Sequence, residues 1–277
     1  MSKAYDPTED GAKMSFAKDM SYADYLALDP LLGAQNCRSN AHDEMLFIIQ
    51  HQTSELWMRL ALHELATARD ALAAGDFPPA FKMLTRVARI FEQLNSAWDV
   101  LRTMTPSDYT RFRDDLGASS GFQSHQYRLI EFVLGNRNCA MMKVHEHRPE
   151  LFHMLGQELQ TRSLYHVVLD QLAHHLDISF EDAVFHLDAP HQADRQVTDA
   201  WAVVYRDPGH HWALYELAEK LVDLEDYFRR WRFNHVTTVE RIIGFKRGTG
   251  GTSGVKYLRK MLEVELFPEL WNVRGQL

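Results

Sequence analysis

Arg232-Phe-Asn-His-Val-Thr-Thr-Val-Glu-Arg-Ile-Ile-Gly-Phe-Lys-Arg-Gly-Thr-Gly-Gly-Thr-Ser-Gly254 changes character half-way along. Leading into it and through its first half, Leu221, Leu224, Phe228, Trp231, Val239 and Ile242 recur at three- and four-residue steps, the period of one buried helix face. His235 falls on that face, where an apolar side chain is expected. From Gly248 onward four glycines are interspersed with Thr249, Thr252 and Ser253. A core histidine satisfied by a carbonyl is one reading of His235. A ligand buried beside it and wrapped by the loop is the other. The loop is neither a P-loop nor a dinucleotide fingerprint. No Gly-Lys-Ser/Thr follows at the required distance, no third glycine stands at 253, and a helix rather than a strand precedes it.

Working outward, the chain reads as helices throughout. Residues 1–20 are polar and irregular, a loose arm. Tyr22-Ala-Asp-Tyr-Leu-Ala-Leu28 is amphipathic but too short to be stable alone, so it must dock on something. Long helices are expected over residues 43–74 and 80–103, separated by Gly75-Asp-Phe-Pro-Pro79. Thr105-Pro-Ser-Asp108 is a helix start, with Thr as N-cap and Pro at the first helical position. That short helix is expected to stop near Gly117. A further helix is expected over 121–134, and the His235 helix over 209–245. Residues 145–200 are helical but weakly patterned, with breaks near Pro149 and at Asp188-Ala-Pro190. A last helix follows over 255–263. No stretch alternates convincingly as a strand, and no repeat or linker appears. The fold class is all-α, a single helical-bundle domain over residues 1–277.

Composition narrows the function. The chain has 277 residues, enough for one large core, with 45% apolar and 25% charged residues. A formal net charge of -8 argues against nucleic acid or an anionic membrane as partner. Cys37 and Cys139 are the only cysteines, so a disulfide framework is not expected and a reducing compartment is. With no signal-like apolar run and no span-length segment, the cytoplasm is the expected location. Fifteen histidines build no familiar metal motif. His63-Glu64 lacks a second His at 67, and His174-His175 and His210-His211 are adjacent and diverge on a helix. Without Cys-x-x-Cys-His, any haem would be held non-covalently.

Two further pairs carry chemistry. Phe47 and His51 share a helix face in Phe47-Ile-Ile-Gln-His-Gln-Thr-Ser-Glu-Leu-Trp57. They are either core and surface residues, or an aromatic wall and a hydrogen-bonding imidazole over a ligand. Tyr109 and Arg113 stand four apart on the short capped helix. They are either a surface pair, or a guanidinium fork with a hydroxyl placed to hold a carboxylate. The loop Gly117-Ala-Ser-Ser-Gly121 follows at once.

Together these motifs resemble the tryptophan 2,3-dioxygenase family. The resemblance lies in Phe47–Trp57, in Gly117-x-Ser-Ser-Gly-Phe-Gln-Ser-x-Gln-Tyr-Arg128, and in Arg232–Gly254 followed by Phe267-Pro-Glu-Leu-Trp271. It covers most of the chain from Tyr22 to Arg274 and is weakest over 1–20 and 140–200. It implies an all-helical homotetramer with one haem b per subunit, ferrous when active. The implied reaction cleaves the indole C2–C3 bond of L-tryptophan with O2, giving N-formylkynurenine. His235 matches the axial haem ligand, and Ser120 and Gly121 match the loop along the haem edge. His51 matches the residue that hydrogen-bonds the indole N–H, and Phe47 the wall beside the ring. Arg113 and Tyr109 match the carboxylate grip, and Thr249 the hydroxyl near the ammonium and carboxylate. Tyr22, Tyr25 and Leu26 match a segment that crosses into the neighbouring subunit's site. Positioning of this kind contributes up to about 7–11 kcal/mol in well-aligned systems. The alternatives are a haem dioxygenase of broader indole specificity, a haem sensor ligated by His235 and His51, and a haem-free helical scaffold.

Overall fold

The computed structural model describes residues 4–277, so residues 1–3 of the expected arm lie outside the described residues. The described residues contain helices and turns and no strand, as the patterning predicts. In chain order the helices are α1 (Tyr22–Leu26), α2 (Leu28–Leu32), α3 (Asp43–Ala73), α4 (Phe77–Leu101), α5 (Pro106–Thr110), α6 (His125–Leu134), α7 (Pro149–Gln160), α8 (Leu164–Leu176), α9 (Arg195–Arg206), α10 (Trp212–Ile242), α11 (Val255–Met261) and α12 (Pro268–Asn272).

Three long helices form the frame. α4 is the central one and packs along both α3 and α10. Its stripe Leu84, Val87, Phe91, Leu94, Trp98 and Leu101 is buried at helical spacing. Leu217, Leu221, Leu224, Phe228 and Trp231 of α10 meet it. Phe91 and Phe228 touch edge to face at 5.0 Å, and Trp98 and Trp231 lie 5.7 Å apart. The 31 residues of α3 and of α10 each span about 46 Å at the helical rise, so each can carry a residue deep into the fold and still anchor at both ends.

Several expected boundaries shift for identifiable reasons. α4 begins at Phe77, not at 80, because Pro78 and Pro79 occupy its first turn, where no amide partner is lost. The capped helix at Thr105 ends at Thr110, and Arg113–Leu116 forms a separate 3-10 turn. Arg113 and Tyr109 therefore do not share one helix. The helix expected from 121 is a 3-10 turn over Gly121–Gln123, after which Ser124 caps α6. Within 145–200 an additional break falls at Ser163, whose hydroxyl caps α8 in a capping box with His166. α12 and α2 were not anticipated.

Buried charges tie the weakly patterned part together. Arg137 is fully buried and donates to the carbonyls of Phe132 at 3.3 Å, Glu158 at 3.0 Å, Leu159 at 2.5 Å and Leu187 at 2.9 Å. Three of those carbonyls are end groups of α6 and α7, which carry partial negative charge. Glu269 of α12 is likewise fully buried and accepts from Tyr165 Oη at 2.9 Å, His191 Nε2 at 2.8 Å and the Asp194 amide at 2.9 Å. Glu225 of α10 accepts from the Leu266 and Phe267 amides and from Trp271 Nε1. The Phe267–Trp271 motif is thus a latch that fastens α12 to α8, α9 and α10.

α1 opens with a capping box between Ser21 and Asp24. Its predicted apolar side finds no cover among the described residues: Tyr22 is 75% and Tyr25 76% exposed, and Leu26 39%.

Candidate active site

A cavity of about 710 Å³ opens between α3, α4 and α10 and is closed on one side by the loops 117–124 and 248–254. Phe47, His51, Tyr109, Ser120, Gly121, His235 and Thr249 all line it. Seven residues from five segments of sequence therefore meet in one place. Arg113, Tyr22, Tyr25 and Leu26 do not line it.

His51 enters from α3. Its Nδ1 lies 2.7 Å from the Phe47 carbonyl. A carbonyl can only accept, so Nδ1 carries the proton and Nε2 keeps a free lone pair. Burial lowers the imidazole below its ordinary range, opposed by the Phe47 hydrogen bond and the Glu55 carboxylate, so the neutral form prevails. The Phe47 ring lies 4.2 Å from the imidazole. Phe112, fully buried, backs both Phe47 at 5.5 Å and Tyr109 at 5.4 Å.

His235 enters from α10. Burial, with a smaller contribution from His51, lowers it to about 4, so it too is neutral near pH 7. Its ring stacks on Trp98 at 5.0 Å and 16°, and touches Trp231 at 5.6 Å and 49°. The carbonyl-satisfied core histidine considered above does not describe it, because the imidazole makes no hydrogen bond among the described residues.

Burial raises the Tyr109 hydroxyl, and the charge and hydrogen bond of Arg113 pull it partly back, so the two side chains do meet although their helix ends between them. Arg113 Nη2 donates to the Arg247 carbonyl at 2.9 Å, and Arg113 Nε is buried without an acceptor. The Thr249 hydroxyl donates to the Ser119 carbonyl at 2.5 Å, joining the two loops. That seam has no room for side chains at two glycines. A Cβ at Gly250 would stand 2.8 Å from that of Ser120, and one at Gly254, where φ is +61°, would stand 2.5 Å from the Lys246 carbonyl oxygen.

A charged cluster in the wall was missed. Glu131, fully buried, pairs with Arg128 and, at 2.8 Å, with Arg232. Tyr127 Oη at 3.1 Å and Asn136 Nδ2 at 3.1 Å complete its hydrogen bonds. Arg128 and Arg232 both line the cavity around the Glu131 carboxylate, and Glu55, held by Gln126, lines it as well. The signal lay in the sequence: Arg232 follows Phe228 by four, a charge at core spacing.

Comparison with known proteins places the whole chain in one family. The sequence model of the family described as Tryptophan 2,3-dioxygenase matches residues 7–185 and 157–277. A protein of Ruegeria pomeroyi named tryptophan 2,3-dioxygenase is 74% identical over 278 residues, covering 100% of both chains. Proteins so named from Bradyrhizobium diazoefficiens and Ralstonia nicotianae are 66% and 60% identical, covering 99% and 96% of this chain and 98% and 91% of their own. With matches at this identity running almost end to end, over a helical frame that brings the motif residues to one cavity, the chain belongs to the tryptophan 2,3-dioxygenase family.

Proposed function

We propose that this protein is a haem-dependent dioxygenase that opens the indole C2–C3 bond of L-tryptophan with O2, giving N-formylkynurenine, the first step of tryptophan degradation. The observation that carries the reading is the pair of imidazoles in one cavity, His235 without a hydrogen-bond partner among the described residues and His51 with a lone pair to offer.

The residues fit haem b. His235 would ligate the iron, since a neutral, unpartnered imidazole is the form that binds metal. The guanidiniums of Arg128 and Arg232 would face carboxylates on the group's edge, and Ser120 and Gly121 would lie along that edge. When bound, the haem supplies the activation of O2. The chain's own residues supply position. His51 Nε2 accepts the indole N–H and turns the ring, while Phe47, braced by Phe112, forms its wall. His51 thus needs no proton to act, and its loss slows turnover rather than abolishing it. Arg113, with the Tyr109 hydroxyl, holds the substrate carboxylate once the guanidinium leaves the Arg247 carbonyl. The Thr249 hydroxyl, donating to Ser119, keeps lone pairs for the substrate ammonium. Holding both charged ends over a fixed ring is what selects an amino acid.

The proposal extends to the whole chain as one helical domain, working in the cytoplasm as a homotetramer. Among the described residues no helix is long and apolar enough to cross a membrane. The uncovered side of α1, with Tyr22, Tyr25 and Leu26, supports a segment that completes a neighbouring subunit's pocket. An anaerobic haem-loaded sample mixed with L-tryptophan, then given O2, tests the function. Product absorbance rising with O2 is expected. A six-coordinate low-spin haem without turnover would instead assign a sensor.

A further inference from the structure

We infer that Trp98 is the positioning residue that sets the imidazole plane of His235, by ring stacking. The inference rests on the reading of His235 as the iron ligand. A ligating histidine is ordinarily oriented through its second nitrogen, which donates to a carboxylate, a carbonyl or water. His235 has no such protein acceptor among the described residues. The protein contact that bears on the plane of the ring is a stacked side chain.

The backbone around it is fixed from α4. Arg102 Nε donates to Thr238 Oγ1 at 2.8 Å, and Nη2 donates to Thr237 Oγ1 at 2.6 Å and to the carbonyl and side-chain oxygens of Asn234 at 3.3 and 3.2 Å. These contacts bracket His235 on both sides, so only its side-chain torsions stay open. One turn before Arg102 on the same helix, Trp98 presents its face to the imidazole at 5.0 Å and 16°. Trp231 touches the ring at 49° and limits tilt, but it cannot define the plane. Rotating the imidazole about its last torsion would drive its edge into the Trp98 face.

Trp98 can serve as a reference surface because it is itself held. It is 8% exposed, and its other neighbour Trp231 lies 5.7 Å away. Its Nε1–H is buried with no acceptor. Such an orphan donor is a standing cost that a Phe would remove. What the indole offers in return is a wider flat face under His235.

Full-length haem-loaded protein is the sample for the test. The iron–imidazole stretching band of the ferrous form and the rate of haem transfer to excess apo-globin are measured for the wild type, Trp98→Leu, Trp98→Phe and His235→Gly. In Trp98→Leu the band is expected to shift and broaden, and haem to be lost about 10–100-fold faster. Trp98→Phe, which keeps a ring face, recovers most of both. Should Trp98→Leu not fold, Trp98→Met replaces it with the same expectation. A band present in the wild type, lost in His235→Gly and unchanged in the Trp98 variants overturns the inference alone. A band that survives His235→Gly overturns the ligand assignment, and the inference with it.

Discussion

Arg113→Ala separates substrate binding from haem binding, and its size can be worked from the structure. Removing one partner of an enclosed, hydrogen-bonded charge pair costs roughly 2–5 kcal/mol. Arg113 is not idle in the free protein, however. Its Nη2 donates to the Arg247 carbonyl at 2.9 Å, and a bond from a charged donor contributes about 1.5–3 kcal/mol. Gripping a carboxylate with Nη2 gives that bond up. Against this, Nε is buried with no acceptor, so a carboxylate that reaches it satisfies an orphan donor. The net loss expected is on the order of 1–3 kcal/mol, or about 5–150-fold in KM. Haem content should not change, because Arg113 meets Tyr109 and the Arg247 carbonyl rather than His235. Arg113→Lys should recover only part, since an ammonium lacks the planar fork. The assay is steady-state kinetics with L-tryptophan beside a Soret measurement of haem per subunit. A KM within twofold of the wild type at full haem content would refute the carboxylate grip.

Three further outcomes are expected. His235→Ala should lose haem or hold it weakly, since no other residue of that α10 face can ligate iron; full occupancy with a histidine-ligated spectrum would exclude it as the ligand. Deleting residues 1–28 should raise KM and weaken assembly together while haem still binds, and a sizing column run beside the kinetic assay decides whether a fully active monomer disproves the shared pocket. His166 is held at about 3, first by burial and then by Arg137, His191, Arg162 and His186, so the unfolded chain takes up its proton near pH 6.5 while the folded one does not. Stability of the haem-free protein should therefore fall as pH drops from about 6.5 toward 3, by on the order of 4 kcal/mol for this group. His166→Gln should flatten that slope in urea titrations, and an unchanged slope would assign the loss to other groups.

What the sequence determined by itself was local and periodic. The stripe Leu221–Ile242 with His235 set into it is legible because a helix repeats every 3.6 residues, and an imidazole on that face stands out against its neighbours. The capping signal at Thr105 and the glycine loop at 248–254 are legible for the same reason, since each depends on residues a few positions apart. The family motifs pointed to candidate residues, yet not to their arrangement. That Phe47, Tyr109, Ser120, His235 and Thr249 share one cavity depends on α4 lying between α3 and α10, which is a matter of packing across more than a hundred residues. Arg232 stood at core spacing in the sequence, but its partners Glu131 and Arg128, the Arg137 hub and the Glu269 latch were hidden because buried charges look like surface charges until their partners are known. Residues 145–200 do carry apolar stripes, Val197, Ala200, Trp201 and Val204 on α9 among them, but these are cut into short helices whose polar ties only the fold reveals. Arg113 shows the same limit in small. Its distance from Tyr109 promised one helix face, while the fold ends that helix at Thr110 and still brings the two side chains together.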